Sequence, residues 1–192
     1  EACGISYYAE NAVRALRARG VEVEVAAPIG GVERGPVEDL GHPFKRVWKR
    51  GSSDLSWLGG PPGILHIQHE FSFWLEERSL VRLLEEARTR GWKTVVTLHT
   101  VMPTGMSLAS FYKAVAASAD YLTAMGDAGA DALRGWCELA GARTPVSVTR
   151  NVCVAAPWFD RSFTRGEMSI GHDQILCAVP GFLSPLKRLG DV

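Results

Sequence analysis

The 192-residue sequence has no net charge, no long apolar run and no pair of closely spaced cysteines. Its 21 basic and 21 acidic residues cancel, so no overall field attracts nucleic acid. No apolar run approaches the roughly 20 residues that a membrane-spanning helix requires. The four cysteines lie far apart, which is typical of free thiols in a reducing compartment and argues against a zinc site. These absences predict a cytoplasmic protein with neither a metal ion nor nucleic acid as partner.

The sequence also lacks the G-x-G-x-x-G pattern of dinucleotide-binding domains. Of the three glycines in this pattern, the sequence has only one at the expected place, Gly4, just before a predicted helix. An NAD-dependent enzyme is therefore disfavoured, although Glu22 and Glu24 lie near the position expected for a ribose-binding acid. A glycine at a helix start lets the backbone approach a phosphate group. A tight turn without any ligand explains Gly4 equally well.

Short apolar runs alternate with amphipathic stretches along most of the chain. The run KTVVTLHT at 93–100 is typical of a strand buried on both faces of a parallel sheet. This alternation predicts an α/β fold, a Rossmann-like doubly wound parallel sheet with right-handed crossovers. The expected strands are 21–27, 63–70, 93–98, 121–124, 146–149 and 174–179, and the expected helices are 7–19, 75–90, 107–119 and 127–140.

The order of elements suggests that the fold extends beyond both ends of the sequence. A doubly wound sheet usually has its first strand at the centre, yet this chain begins with a helix. Unpaired backbone groups at the centre of a sheet are costly, so we expect a further strand before Glu1. We predict a domain at 1–152, an interdomain linker at 153–172, and the first strand and turn of a second domain at 173–192.

Polar residues follow two neighbouring strands of the predicted sheet. His69 and Glu70 end one strand, and His99 and Thr100 end the next. Open α/β sheets bind ligands at the carboxyl ends of their strands, so we expect these side chains to converge on one pocket. A structural role for the histidines is the alternative. His66 and His69 do not share a metal ion, because residues three apart on a strand point to opposite faces.

Two further stretches have competing interpretations. The run FKRVWKR at 44–50 mixes basic and aromatic residues and can lie on lipid headgroups, which predicts a peripheral membrane contact. Its alternative is a solvated edge strand whose lysines discourage aggregation. The apolar residues after the second strand either line a pocket for an apolar acceptor or pack beneath the following helix; they are Phe71, Phe73, Trp74 and Leu75.

The sequence resembles the amino-terminal domain of family 4 glycosyltransferases with the GT-B fold, followed by the hinge and the first strand of the second domain. The resemblance covers nearly the whole chain in order and spacing. The matching motifs are C-G-I-S at 3–6, I-Q-H-E-F at 67–71, T-L-H-T at 97–100, A-D-Y at 119–121, R-N-V at 150–152 and G-F-L-S-P-L-K at 181–187.

The resemblance implies retaining, metal-independent transfer of a hexose from a nucleotide-sugar to a glycan, lipid or small-molecule acceptor. The nucleotide-sugar is a substrate, so no cofactor is implied. This chain would carry mainly the acceptor half and would be inactive alone. The implied site residues are His99 beside the transferred sugar, Gly4, Lys187 and Arg188 at the donor diphosphate, His69, Glu70 and Thr100 at the acceptor, and Asn151 in the R-N-V motif.

The sequence departs from the family in two places. Phe182 stands where many relatives have an arginine, so the charge at the diphosphate would rest on Lys187 and Arg188. The E-x7-E signature of the donor domain belongs beyond residue 192, and Glu77 and Glu85 have this spacing only by coincidence. A non-catalytic sugar- or nucleotide-binding domain is therefore the alternative function.

Overall fold

The computed structural model describes residues 4–29, 44–74, 77–103, 108–150, 160–171 and 173–174. The chain forms two compact units, Glu1–Cys153 and Val154–Val192. The predicted sites Asn151, Lys187 and Arg188 and the predicted strand 174–179 lie outside the described residues, apart from Gln174. None of the helices in the described ranges is long and apolar enough to cross a membrane.

Strands and helices alternate through the first unit, as the sequence predicts. The strands are β1 (Val25–Pro28), β2 (Phe44–Trp48), β3 (Ile64–His69), β4 (Lys93–Leu98), β5 (Tyr121–Ala124) and β6 (Val146–Val148). The helices are α1 (Gly4–Arg17), α2 (Glu77–Thr89), α3 (Ala109–Ser118) and α4 (Asp127–Ala140). A 3₁₀ turn, Phe71–Phe73, follows β3.

Every strand pairing is parallel, which confirms the α/β, Rossmann-like class. Strands β3, β4, β5 and β6 form a four-stranded sheet in that order, and β1 pairs with β2 in a separate two-stranded sheet. The helix α4 has the predicted bounds and ends at Gly141, whose φ of 65° is the left-handed conformation that glycine tolerates best. The helix α1 begins earlier than predicted, at Gly4 itself.

The four-stranded sheet has two chemically different faces. We call the face that carries Ile67, His69, Val96, Leu98 and Leu122 the apolar face, since these residues are buried in one core with side chains of α2, α3 and α4. Alternate positions of the same strands form the polar face. It also carries Val95, and its polar residues include His66, Gln68, Thr97 and Thr123.

The basic run at 44–50 forms β2, so the strand interpretation is confirmed. Lys45 Nζ lies 3.3 Å from the Glu24 carboxylate of the neighbouring strand region. Arg46 donates to the carbonyl oxygen of Pro28 at 3.2 Å, and Arg50 lies over the Phe73 ring. Several of the basic groups thus have partners within the chain, and the peripheral membrane contact stays a prediction.

The second unit contains a helix that the sequence analysis did not predict. This helix, α5 (Arg161–Glu167), lies within the predicted linker 153–172. Its N-cap residue is Asp160, whose carboxylate accepts hydrogen bonds from the backbone N–H groups of Ser162 and Phe163. A short polar helix of this kind has no apolar stripe and depends on its cap, which explains why periodicity did not reveal it.

Candidate functional site

The carboxyl ends of β3 and β4 bring three predicted site residues together. Thr100 Oγ1 donates a hydrogen bond to Glu70 Oε2 at 2.8 Å. The other Glu70 oxygen accepts from the Phe71 backbone N–H at 2.9 Å. The His99 backbone N–H donates to the carbonyl oxygen of His69 at 3.1 Å, which continues the ladder between the two strands. Glu70 and Thr100 are therefore joined directly, and His99 lies near enough for the Glu70 carboxylate to affect its pKa.

The His99 ring is held on two sides. Its Nε2 atom lies 2.9 Å from Gln68 Oε1. The Tyr8 ring of α1 meets it edge to face, with ring centroids 5.2 Å apart. Tyr8 is itself fixed by a hydrogen bond of 2.9 Å between its hydroxyl group and Thr149 Oγ1, which follows β6. The imidazole is thus oriented by groups from β3, α1 and β6.

The electrostatic environment favours a neutral His99. Partial burial lowers the pKa of His99 from its ordinary value, while the Glu70 carboxylate opposes this with a smaller effect. A neutral imidazole has one N–H donor and one lone pair. Such a ring can form one hydrogen bond as a donor and one as an acceptor.

The side chain of His69 does not join the group. It lies on the apolar face with no solvent exposure, against the rings of Phe71 and Phe111 at centroid distances of 5.0 and 5.2 Å. Because β3 runs through His69, its side chain points away from that of Glu70. The expected convergence is therefore wrong for His69. Its part in acceptor binding stays a prediction that this burial disfavours.

The same alternation separates His66 from His69. His66 is on the polar face, 2.7 Å from Thr97 Oγ1 through its Nε2 atom, and His69 is on the opposite face. The expectation that the two side chains point to opposite faces is confirmed. Among the residues that the structure describes, no group of three or more potential metal ligands occurs.

The aromatic residues after β3 belong mainly to the core. Trp74 is buried and its ring lies 4.9 Å from that of Trp48, centroid to centroid. Phe71 and Phe73 are partly buried and pack against the same core. These contacts support the packing interpretation of this stretch over an apolar acceptor pocket.

The predicted diphosphate-binding glycine opens α1. Gly4 is the first residue of this helix, and Tyr8, one turn further, contacts His99. The first turns of α1 therefore lie at the carboxyl end of the four-stranded sheet. The other two predicted donor-binding residues are outside the described ranges.

The motif A-D-Y has a structural explanation at the opposite end of the sheet. Asp120 Oδ2 accepts from both the backbone N–H and the hydroxyl group of Thr94, at 2.9 and 3.0 Å, and Lys93 Nζ lies 3.1 Å from Oδ1. Burial raises the pKa of Asp120, but these hydrogen bonds outweigh it, so the pKa lies below its ordinary value. This carboxylate joins the amino ends of β4 and β5.

Three residues around His99 were missed by the sequence analysis. Gln68 stands inside the motif I-Q-H-E-F, and strand alternation puts it on the face opposite His69, so a signal for it existed. Tyr8 and Thr149 are separated by most of the domain in sequence, and no pattern links them.

The sequence model of the family described as Glycosyltransferase Family 4 matches residues 2–148. The chain belongs to glycosyltransferase family 4. The match contains α1 to α4 and ends at β6, so it covers the described part of the first unit almost completely, including Glu70, His99 and Thr100. No curated protein and no solved structure matches the chain. The family 4 assignment therefore rests on the sequence model together with the Rossmann-like fold.

Proposed function

We propose that the protein transfers a hexose from a nucleotide-sugar to an acceptor hydroxyl group with retention of configuration and without a metal ion or cofactor. The observation that carries the proposal is the family 4 match over residues 2–148. The grouping of Glu70, His99 and Thr100 at the carboxyl ends of neighbouring strands supports it, since ligands of open α/β sheets bind there. This chain would supply mainly the acceptor half of the site.

The start of α1 would bind the donor diphosphate. Departure of the nucleoside diphosphate places negative charge on its phosphate oxygens, and fixed donors stabilise that charge. The amino end of α1, which begins at Gly4, suits this purpose because a helix N-terminus carries a partial positive charge. Lys187 and Arg188, which lie outside the described residues, stay predictions for donor binding, since basic side chains form charge-assisted hydrogen bonds with phosphate.

Transfer would occur on the face of the sugar that the leaving group vacates. The bond between the anomeric carbon and the diphosphate oxygen breaks, the acceptor oxygen bonds to the same carbon, and the departing phosphate takes the acceptor proton. The neutral His99 ring would orient the sugar and stabilise the positive charge that develops at the anomeric carbon. Glu70 and Thr100, already joined to each other, would accept hydrogen bonds from the acceptor.

A thermal-shift assay of the full-length protein tests the donor class. A ligand that binds only the folded state raises the melting temperature. Stabilisation by nucleotide-sugars that share one nucleoside diphosphate, and not by NAD, is the expected result. Stabilisation by NAD alone would contradict the proposal. Stabilisation without any transfer to a panel of sugar, lipid and small-molecule acceptors would favour a non-catalytic binding domain instead.

Substitution of His99 tests the catalytic assignment. His99→Ala should keep the thermal shift caused by the nucleoside diphosphate and should slow the release of the diphosphate from the nucleotide-sugar by about 100-fold, the range for removal of one group that stabilises transition-state charge. The matched control is Arg134→Ala, which removes an exposed side chain of α4 and should leave the rate unchanged. An unaltered rate in His99→Ala would remove His99 from the reaction.

A further inference from the structure

A line of hydrogen bonds runs across the polar face and ends at His99. Thr123 Oγ1 and Thr97 Oγ1 are 2.7 Å apart, and Thr97 Oγ1 lies 2.7 Å from His66 Nε2. His66 Nε2 is 3.2 Å from the amide nitrogen of Gln68, whose oxygen is 2.9 Å from His99 Nε2. We call these five side chains the polar relay.

The relay is buried at its Thr123–Thr97 end and partly exposed towards His99. Thr97 has no solvent exposure and Thr123 has 8%, so their hydroxyl groups depend on each other and on His66 for hydrogen bonds. Gln68 and His99 are partly buried. His66 is exposed at the edge strand β3. The buried threonines therefore give the relay a fixed anchor beneath the exposed histidine.

The chemistry of the amide group sets the direction of the bonds. An amide oxygen only accepts and an amide nitrogen only donates, so His99 Nε2 must carry a proton and His66 Nε2 must accept. Thr97 then donates to His66, and Thr123 donates to Thr97. A Gln68 amide turned by half a rotation would reverse every bond and leave the His99 proton on Nδ1. The two directions thus predict opposite tautomers of His99.

We propose that Gln68 is a positioning residue that holds neutral His99 in the Nε2–H tautomer and leaves Nδ1 as the hydrogen-bond acceptor offered to the substrate. A ring nitrogen with a free lone pair recognises a donor, so the group that it binds on the substrate is a hydroxyl and not a carbonyl or phosphate oxygen. This consequence for transfer rests on the proposed function. The tautomer itself does not, because it follows from the orientation of the Gln68 amide, whose oxygen lies 2.9 Å from His99 Nε2.

The tautomer can be read directly by long-range ¹H–¹⁵N correlation spectra of the histidine rings. The protein has five histidines, and the His99 signals are those that disappear in His99→Ala. Spectra at about pH 8 report the neutral ring, since this is above the ordinary histidine pKa. A protonated Nε2 and an unprotonated Nδ1 are expected. A proton on Nδ1 in the unaltered protein would overturn the proposal.

Two substitutions of Gln68 separate its contact with His99 from a general structural effect. Gln68→Met keeps the length of the side chain but has no acceptor, and it should give a mixture of both tautomers. Gln68→Glu keeps an acceptor oxygen, so it should preserve Nε2–H and raise the pKa of His99 through the added charge. The control Thr123→Val removes the far end of the relay and should leave the His99 tautomer unchanged.

The outcomes of these variants are decisive even if one of them fails to fold. An unchanged tautomer in folded Gln68→Met contradicts the proposal, and so does an unchanged His99 pKa in Gln68→Glu. In the transfer assay, Gln68→Met should lower kcat about tenfold with little change in KM for the donor, by analogy with the partners that orient metal-binding histidines. Absence of any transfer would refute the proposed function but would leave the spectroscopic result standing.

Discussion

The polar and apolar faces of the four-stranded sheet take alternate residues of the same strands, and the two histidines of β3 show how far they differ. His66 joins the polar relay through Thr97. His69 is surrounded by aromatic rings, and neither of its ring nitrogens has a partner among the described residues. An odd spacing of three positions along one strand thus puts one histidine in the core and the other in the polar relay.

The two faces hold the fold together by different physical means. On the apolar face, side chains such as Val96 and Leu98 are removed from water together with the apolar residues of three helices. On the polar face, stability depends on each group having a partner, because a buried polar group left unpaired costs free energy. Substitutions on the two faces should therefore fail in different ways.

The largest effect is expected on the apolar face, from Leu98→Ala. Leu98 is completely buried, and its truncation removes apolar contacts and leaves a cavity. We expect a loss of about 2–5 kcal/mol in the free energy of unfolding. Chemical denaturation followed by tryptophan fluorescence measures it.

The matched control for this substitution is its neighbour, Thr97→Val, which keeps the volume of a fully buried side chain. It leaves the Thr123 hydroxyl group and His66 with one partner fewer, for a cost of roughly 1–3 kcal/mol. A smaller loss for Leu98→Ala than for Thr97→Val would show that the apolar face does not dominate the stability of this sheet.

The next effect concerns the pH dependence of stability. Burial, together with the charge of His99, lowers the pKa of His69 from 6.5 to about 4. The His69 imidazole therefore binds a proton more readily in the unfolded chain than in the folded one. The contribution of neutral His69 to the free energy of unfolding is fully present above pH 6.5 and is lost as the pH falls towards 4. A shift of this size corresponds to about 3 kcal/mol.

The variant His69→Phe should remove most of this dependence. A phenyl ring suits the aromatic surroundings and has no proton to gain, so its unfolding free energy should change little between pH 6.5 and 4. Denaturation curves of both proteins across this interval provide the comparison. An equally steep loss in the variant would assign the acid sensitivity to other groups.

Most of the fold was predictable because its signals are local. The apolar runs gave β4 and β5, and Asp127 and Gly141 marked the ends of α4. The site was predictable only as far as the rule on carboxyl strand ends applies, which gave Glu70, His99 and Thr100. The rule needs to know which strands are neighbours, and the alternation of strands and helices along the sequence predicts this.

What the sequence did not reveal depends on exact strand ends and on distant contacts. The sequence predicts His69 and Glu70 as a polar pair at the end of a strand. In the structure β3 extends through His69, so strand alternation places the two side chains on opposite faces of the sheet. Tyr8 reaches Thr149 and His99 only after α1 has packed against the sheet. Such contacts have no sequence period, because tertiary packing alone creates them.

The smallest expected loss of stability concerns Thr94, the other buried polar residue of β3 and β4 on the apolar face. Unlike His69, Thr94 has partners, since its backbone N–H and its hydroxyl group both donate to Asp120. Asp120→Asn keeps the shape but weakens these charge-assisted bonds, so we expect a loss of about 1 kcal/mol. Asp120 is at the amino end of the sheet, and transfer activity should be unchanged.

The pH range separates this carboxylate from the histidine. The pKa of Asp120 is below its ordinary value of 3.8, so its contribution is present above that pH and is lost as the pH falls through the lowered value. The loss caused by protonation of His69 is already complete at about pH 4. In a double variant, His69→Phe with Asp120→Asn, neither position should contribute to the pH dependence of the unfolding free energy, between pH 6.5 and 4 or below pH 3.8. Persistence of the steep decline between 6.5 and 4 would contradict the view that an unpartnered His69 is the weak point of the apolar face.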